Sequence, residues 1–251
     1  MSSPVEISEE AGVRYLHFGS EWIQGAMRIA RPWALELDYT REMMTSLLLR
    51  PDAEWPRSAL LIGLGAASLT KFLYRHRPQA KLTVVEIEPA VVTAAQQFFR
   101  LPDDPKRLKI EIADGVEWLA GCDQTFDLIM VDGFDADARA GALDTLPFYQ
   151  ACRAHLDDTG LLVVNLLGRN RGFKGSGERI GRAFDGRATV FPSCDYGNAI
   201  AFAATGEPIR APLVELRTLA QTLKKQTGLN LLPTLTRLAQ WQPCAGGRLE
   251  L

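Results

Sequence analysis

Paired cysteines are missing from this chain. Cys122, Cys152, Cys194 and Cys244 stand far apart with no CxxC among them, which excludes the usual zinc spacings and gives no ground for a disulfide framework. No apolar run approaches the length of a membrane span, and no lipidation motif stands at either end. The opening "MSSPVEISEE" is acidic and polar where a secretory signal would be basic and then apolar. An excess of either charge is missing too: 28 Lys and Arg nearly balance 30 Asp and Glu, so no global field draws the protein to nucleic acid or to an anionic membrane. Internal repeats and low-complexity tracts are absent. These absences predict a reducing, cytoplasmic setting, a mature chain that begins near Met1, and no nucleic-acid or membrane partner.

With 251 residues, of which 47% are hydrophobic and 23% charged, the composition is that of a globular protein with one main core and small appendages. We divide it into an N-terminal β-hairpin and helix (1–50), a Rossmann-like catalytic domain (51–206) and a helical tail (207–251). "VRYLHFGSEWIQGAMRIA" (Val13 to Ala30) alternates apolar and polar residues around Gly19-Ser20, which reads as a hairpin. In "LDYTREMMTSLLL", Met43, Leu47 and Leu48 share a helical face, and Pro51 and Pro56 close the segment.

From Arg57 onward apolar strands alternate with amphipathic helices, the pattern of a parallel sheet covered on both faces. The strands are "SALLIG", "KLTVVE", "LKIEIA", "FDLIMVD" and "GLLVVNLL". Helices are expected from about Ala67 to His76, from Pro89, after Asp114, and from Thr145 to His155. "ATVFPS" and "NAIAFAATG" add two strands joined by a short turn from Cys194 to Gly197. A sheet ending in such an antiparallel pair resembles the methyltransferase-type α/β fold. Beyond Gly206, Pro212 starts a helix whose Leu213, Leu216, Ala220 and Leu223 form an apolar stripe that Gly228 ends. The stripe serves packing or oligomer contact, and a homodimer is expected.

The chemistry gathers at the strand ends. In "LLIGLGAASLTKF", Gly63 and Gly65 precede small residues and a helix, so the turn either lets backbone approach a ligand at a helix N-terminus or is a tight turn with close packing. Glu86 and Ile87, in "VVEIEP" about twenty residues on, end the second strand, where a carboxylate is placed to accept hydrogen bonds from both ribose hydroxyls of a nucleoside, or else is a solvated strand terminus. Asp114-Gly115 follows the third strand; the carboxylate suits an adenine amino group or a helix N-cap. Asp132 and Asp135, in "IMVDGFDADARAG", end the fourth strand, and Asp137 and Asp144 make this loop negative, as suits a cationic substrate. The bland alternative for the loop is Asp as a turn former.

Taken in order, "LLIGLGAAS", "VVEIEPAVV", "LPDDPKRLKIEIADG", "FDLIMVDGFD", "LPFYQACRAHLDDTGLLVVNLLG" and the hairpin from Pro192 to Phe202 resemble the spermidine synthase (polyamine aminopropyltransferase) family and its bacterial spermidine synthase-like branch, over roughly Val13 to Thr205. The resemblance implies that Glu86 holds the ribose, Asp114 and Gly115 border the adenine, Asp132 is the catalytic base and Asp135 binds the amine. The family's reaction is displacement at a carbon attached to sulfonium, with methylthioadenosine leaving and no metal required. The expected co-substrate is decarboxylated S-adenosylmethionine or S-adenosylmethionine itself, and the partner is a small-molecule amine.

Three places in the chain depart from the family. Ala66 stands where the glycine loop carries an acid that receives the donor's aminopropyl end. Thr40-Arg41 replaces a Tyr-Gln pair before Glu42-Met43, and Cys194 replaces the amine-binding Tyr of the late hairpin, with Tyr196 two positions away. Arg41 therefore either pairs with the carboxylate of an undecarboxylated donor, which would favour methyl transfer on the same scaffold, or pairs with an acid on its own helix face. The basic stretch "GRNRGFKGSGERIGR" reads as a solvated loop and helix surface, since it lacks the interleaved aromatics of a nucleic-acid site.

Overall fold

The computed structural model describes residues 5–19, 23–135, 138–167, 172–194, 197–241 and 245–251. Its centre is a sheet of 7 strands. These are β4 (Ser58–Ile62), β5 (Lys81–Glu86), β6 (Leu108–Ile112), β7 (Phe126–Val131), β8 (Leu156–Leu167), β9 (Ala188–Pro192) and β10 (Asn198–Ala204). They lie in the order β6-β5-β4-β7-β8-β10-β9. The pairs from β6 to β8 are parallel, and β10 runs antiparallel to both β8 and β9. The chain builds outward from β4 to one side and then returns to build from β7 on the other. The crevice at the carboxyl ends of β4 and β7 is thus the topological switch point, where ligands sit in open α/β sheets.

Strand parity divides the interior in two. Ala59 and Leu61, Leu128 and Met130, Leu161 and Val163, and Ile200 and Phe202 face one core, while their neighbours Leu60, Ile62, Ile129, Val131, Leu162, Val164, Ala199 and Ala201 face the other. Burial on both faces explains why these strands read as near-continuous apolar runs. The first core is covered by α3 (Ser68–His76) and α4 (Pro89–Phe98), the second by α5 (Gly115–Ala120), α6 (Leu146–Ala154) and α7 (Lys174–Ala183).

Before the sheet, β1 (Val5–Glu10), β2 (Val13–Phe18) and β3 (Gly25–Arg28) form an antiparallel sheet of 3 strands. The hairpin read from the sequence is β2–β3; β1 is an addition, joined to β2 by Ala11 and Gly12, both at positive φ (49° and 76°), the geometry of a two-residue hairpin turn. The single helix expected from "LDYTREMMTSLLL" is divided into α1 (Asp38–Met43) and α2 (Ser46–Leu49). Every residue from Glu42 to Leu49 is buried, so packing on all sides, rather than one apolar stripe, sets the path. Tight bonds such as Met44 N to Arg41 O (3.1 Å) and Leu48 N to Thr45 O (2.9 Å) make the break.

After the sheet come β11 (Arg210–Pro212), α8 (Leu213–Thr227), α9 (Leu232–Trp241) and β12 (Arg248–Glu250), with β11 paired to β12. Gly228 ends α8 in the left-handed conformation (φ 80°). Leu216, Ala220 and Leu223 of its stripe are buried in the first core together with residues of α2, so the stripe is spent within the chain. No helix of the described residues is long and apolar enough to cross a membrane.

Under the first core lies an unusual cation. Lys71 of α3 is 2% exposed, and its Nζ donates to the carbonyl of Phe99 at the end of α4 (2.7 Å). Burial, assisted by the nearby Arg100 charge, pulls its pKa from 10.5 down to about 7. The unfolded chain therefore binds more protons than the folded one between those limits, and stability rises with pH across that window, by at most about 1.4 kcal/mol per pH unit. Lys71→Met should remove this dependence: the difference in unfolding free energy between wild type and variant should grow in favour of wild type as pH increases from about 7 to about 10. Urea unfolding of both proteins at several pH values checks this, and parallel curves would contradict it.

Candidate active site

At the switch point the backbone itself is crowded. A Cβ on Gly63 would lie 2.2 Å from the carbonyl oxygen of Asp132, and Gly63 has φ +98°. Only glycine meets both conditions. Gly63 N donates to Val85 O and Asp132 N to Ile62 O, both at 2.9 Å, so the ends of β4, β5 and β7 are bound into one rim. Gly65 follows in the left-handed region (φ +50°), and Ala67 (φ 56°) precedes the first turn of α3.

Above this rim is a cavity of about 230 Å³. Gly63, Gly65, Glu86, Ile87, Asp114, Gly115, Asp132 and Asp135 all line it. Glu86 is 7% exposed; its Oε2 accepts from Leu64 N (2.8 Å) and its Oε1 from Glu88 N (3.0 Å). Burial raises its pKa while these amides oppose the shift. The carboxylate thus holds the glycine loop in place and keeps capacity for further donors. Asp114 caps α5 by accepting from Val116 N (2.8 Å) and Glu117 N (3.1 Å), so the capping alternative holds while the residue also faces the cavity. Ile87, 58% exposed, supplies an apolar edge at the mouth.

Asp132 is held from two sides. Tyr39 Oη donates to its Oδ2 (3.1 Å) and Asn165 Nδ2 to its Oδ1 (2.8 Å), while Asn198 Nδ2 donates to Asn165 Oδ1 (2.8 Å). Burial raises the Asp132 pKa, and the donations from Asn165 and Tyr39 pull against it. Asp135 is exposed, and its Oδ1 accepts from Arg139 N (2.8 Å). A carboxyl whose pKa is raised by burial, beside a concave apolar and polar pocket, can take a proton from a nucleophile.

A smaller recess of about 30 Å³ continues past Gly63, Gly65 and Asp132. Gln24, Tyr39, Thr40, Ala66 and Ser68 complete its polar and small-residue wall. Among the described residues lining it, Asp132 is the one charged group and no cation is present.

Arg41 is the sequence-predicted site residue that the fold takes elsewhere. It lines neither the cavity nor the recess. Its Nη1 pairs with Asp38 one turn away, Nε donates to Leu35 O (2.9 Å) and Nη2 to Glu36 O (2.7 Å). Tyr39 and Thr40 turn toward the recess, and the helical rotation that brings them there carries Arg41 away. Tyr196 and Asp137 lie outside the described residues. Cys194, at the other departure from the family, has its N and Sγ 3.3 Å from Glu42 Oε1, which also receives Arg237.

Sequence reading passed over Phe18, Gln24, Tyr39, Asn165 and Asn198. A usable signal existed for Asn165, the one polar residue in the run "GLLVVNLL". Tyr39 stands one position from where the family carries its tyrosine. Phe18 and Gln24 come from the N-terminal sheet, and only packing brings them over the cavity.

Fold and site together define an α/β protein of the methyltransferase type, with a cavity at the switch point of its sheet. The family model described as spermine/spermidine synthase domain matches residues 37–166. The polyamine aminopropyltransferase of Chromobacterium violaceum is 35% identical over 245 residues, covering 98% of this chain and 93% of the relative. The chain belongs to the spermine/spermidine synthase family. A crystal structure of spermidine synthase in complex with the transition-state analogue AdoDATO superposes with TM-score 0.61 at 25% identity, over 80% of this chain and 74% of that one. Human methyltransferase-like protein 13 in complex with SAH shares the fold, with TM-score 0.66 at 24% identity, over 77% of this chain and 93% of that one. Among the described residues no group of three or more His, Cys, Asp or Glu is disposed to hold a metal ion.

The cavity makes one demand that is easily tested. Glu86→Ala removes an acceptor from the cavity and also strips Leu64 N of its partner, so affinity for methylthioadenosine should fall at least about tenfold. Calorimetry on the folded variant reads this, and unchanged affinity would remove Glu86 from the site.

Proposed function

We propose that this enzyme moves an aminopropyl group from decarboxylated S-adenosylmethionine to a polyamine-type amine. The observation that carries the reading is the recess beside Asp132, with one carboxylate and no cation among its described lining residues. A donor tail ending in an ammonium alone meets a carboxylate there, whereas the zwitterionic tail of intact S-adenosylmethionine adds a carboxylate of its own beside Asp132, with no protein cation among the described lining residues to receive it. Methyl transfer from intact S-adenosylmethionine is therefore the less favoured chemistry. Arg41, the residue that would have supported it, is engaged by Asp38 and two carbonyls.

In this reading Glu86 receives the ribose hydroxyls, Asp114 and Gly115 border the adenine, and Asp135 attracts the incoming amine. The amine nitrogen attacks the carbon attached to sulfonium; the N–C bond forms, the C–S bond breaks, and methylthioadenosine leaves with the electron pair. The nitrogen gives its surplus proton to Asp132. For an ordinary amine and an ordinary carboxyl that transfer is uphill by about six pKa units, roughly 8 kcal/mol. The raised pKa of Asp132 narrows the gap from one side, and partial desolvation of the amine narrows it from the other.

Two outcomes follow. Wild type should use the decarboxylated donor at least about tenfold better in kcat/KM than the intact one, and Arg41→Gln should leave that ratio unchanged; a wild type favouring intact S-adenosylmethionine would overturn aminopropyl transfer. Tyr39→Phe deletes a donor that stabilises the Asp132 carboxylate. The acid limb of kcat/KM should then move to higher pH with methylthioadenosine affinity retained. An unmoved limb would separate Asp132 from the proton transfer.

A further inference from the structure

We infer that Asp144 is a positioning residue for the donor: it fastens the loop that forms one wall of the nucleoside cavity, and so sets donor affinity without touching the donor. The inference rests on reading the cavity as a nucleoside site. Its wall is the segment from Arg139 to Leu143, which ends in a 3-10 turn from Gly141 to Asp144. Leu143 is pressed onto the strand ends. A Cβ on Gly133 would lie 2.7 Å from Leu143 Cδ1, and one on Gly115 would lie 3.5 Å from its Cδ2. The apolar surface that a purine ring would meet is therefore placed by wherever the backbone at 143–144 is held.

That backbone is irregular and makes short-range bonds of its own. Leu143 N donates to Ala140 O (3.1 Å) and Thr145 Oγ1 to Ala142 O (3.0 Å), both within the loop. Leu143 packs against the second core and Asp135 pairs with Arg139 at the segment's start, while the polar side-chain tie to α6 and α7 is Asp144. Its Oδ1 accepts from Tyr149 Oη of α6 (2.8 Å). Its Oδ2 accepts from Ser176 Oγ (2.8 Å) and from Arg179 Nη2 (2.5 Å), both on α7. Tyr149 is fully buried, and burial together with the Asp144 charge drives its pKa far upward, so its hydroxyl stays a donor. Three donors from two helices thus converge on one carboxylate. None of Asp144, Tyr149, Ser176 and Arg179 lines the cavity. A short irregular segment anchored in this way opens at a lower cost than the helices it is tied to, and losing the anchor shifts it toward the open state.

The test compares Asp144→Asn, Tyr149→Phe and Arg179→Gln with wild type, by calorimetry with methylthioadenosine and by steady-state kinetics with decarboxylated S-adenosylmethionine and an amine. The expected result is a rise of about three- to tenfold in the methylthioadenosine Kd and the donor KM. Acceptor KM and kcat at saturating donor should stay within about twofold. The Asp144→Asn/Tyr149→Phe pair should be less than additive, because both changes release the same contact. Tyr149→Phe and Arg179→Gln each delete one donor, so the question stays open to measurement even if Asp144→Asn fails to fold. Unchanged Kd in folded variants, or losses shared equally by kcat and acceptor KM, would overturn the positioning role. Nucleoside binding by wild type without aminopropyl transfer would refute the proposed reaction and leave this inference standing, whereas a wild type that binds no adenosine nucleoside would refute both.

Discussion

The contact on which this molecule depends is the backbone-to-backbone meeting of Gly63 with Asp132. It closes the switch point between β4 and β7, leaving no room for a side chain on the first strand's last turn. Because β7 ends at that contact, the Asp132 carboxyl is delivered to the same rim as the glycine loop and Glu86. The cavity, the recess and the acid between them are consequences of two strand ends brought to van der Waals distance by parallel pairing.

Around that contact, the electrostatics balance opposing demands. Asp132 loses hydration by burial, which favours its neutral form, while Tyr39 and Asn165 donate to it and favour the charged one. Neither side is free to relax, because Asn165 is itself oriented by Asn198 from the neighbouring antiparallel strand. Register explains how the group assembles. Val131 of β7 lies beside Val164 and Ile200 of β10 opposite Asn165, so Asp132, Asn165 and Asn198 share one face at one edge. Through Asn198 and Asn165, the antiparallel β10 helps to orient the Asp132 carboxyl.

Much of the fold was legible because parallel strands buried on both faces have to be apolar throughout, and the helices between them have to be amphipathic. The glycine turn, Glu86, Asp114, Asp132 and Asp135 were legible for a related reason: their places at strand ends follow from the pattern that defines the strands. The N-terminal strand β1, the break between α1 and α2, and the pairing of β11 with β12 were not. Their causes are a left-handed two-residue turn, all-round burial and contact with a segment 36 residues away in sequence, from Pro212 to Arg248; none leaves a local period. Arg41 shows the same limit at the level of a side chain, since its charge suited a carboxylate and only the rotation of α1 decided which one it met.

Composition and spacing by themselves determined an α/β chain with a glycine turn after the first sheet strand, an acid at the end of the second and a negative end to the fourth, because local physics ties each of these to its strand or turn. Tertiary structure alone decided that Tyr39 and Asn165 donate to Asp132 with Asn198 behind Asn165, that the recess beside it holds no cation among its described residues, and that Arg41 spends its donors on Asp38 and on the carbonyls of Leu35 and Glu36. Those facts depend on strand register and helix rotation, which are fixed when distant surfaces pack together, and a residue's neighbours in sequence carry no record of them.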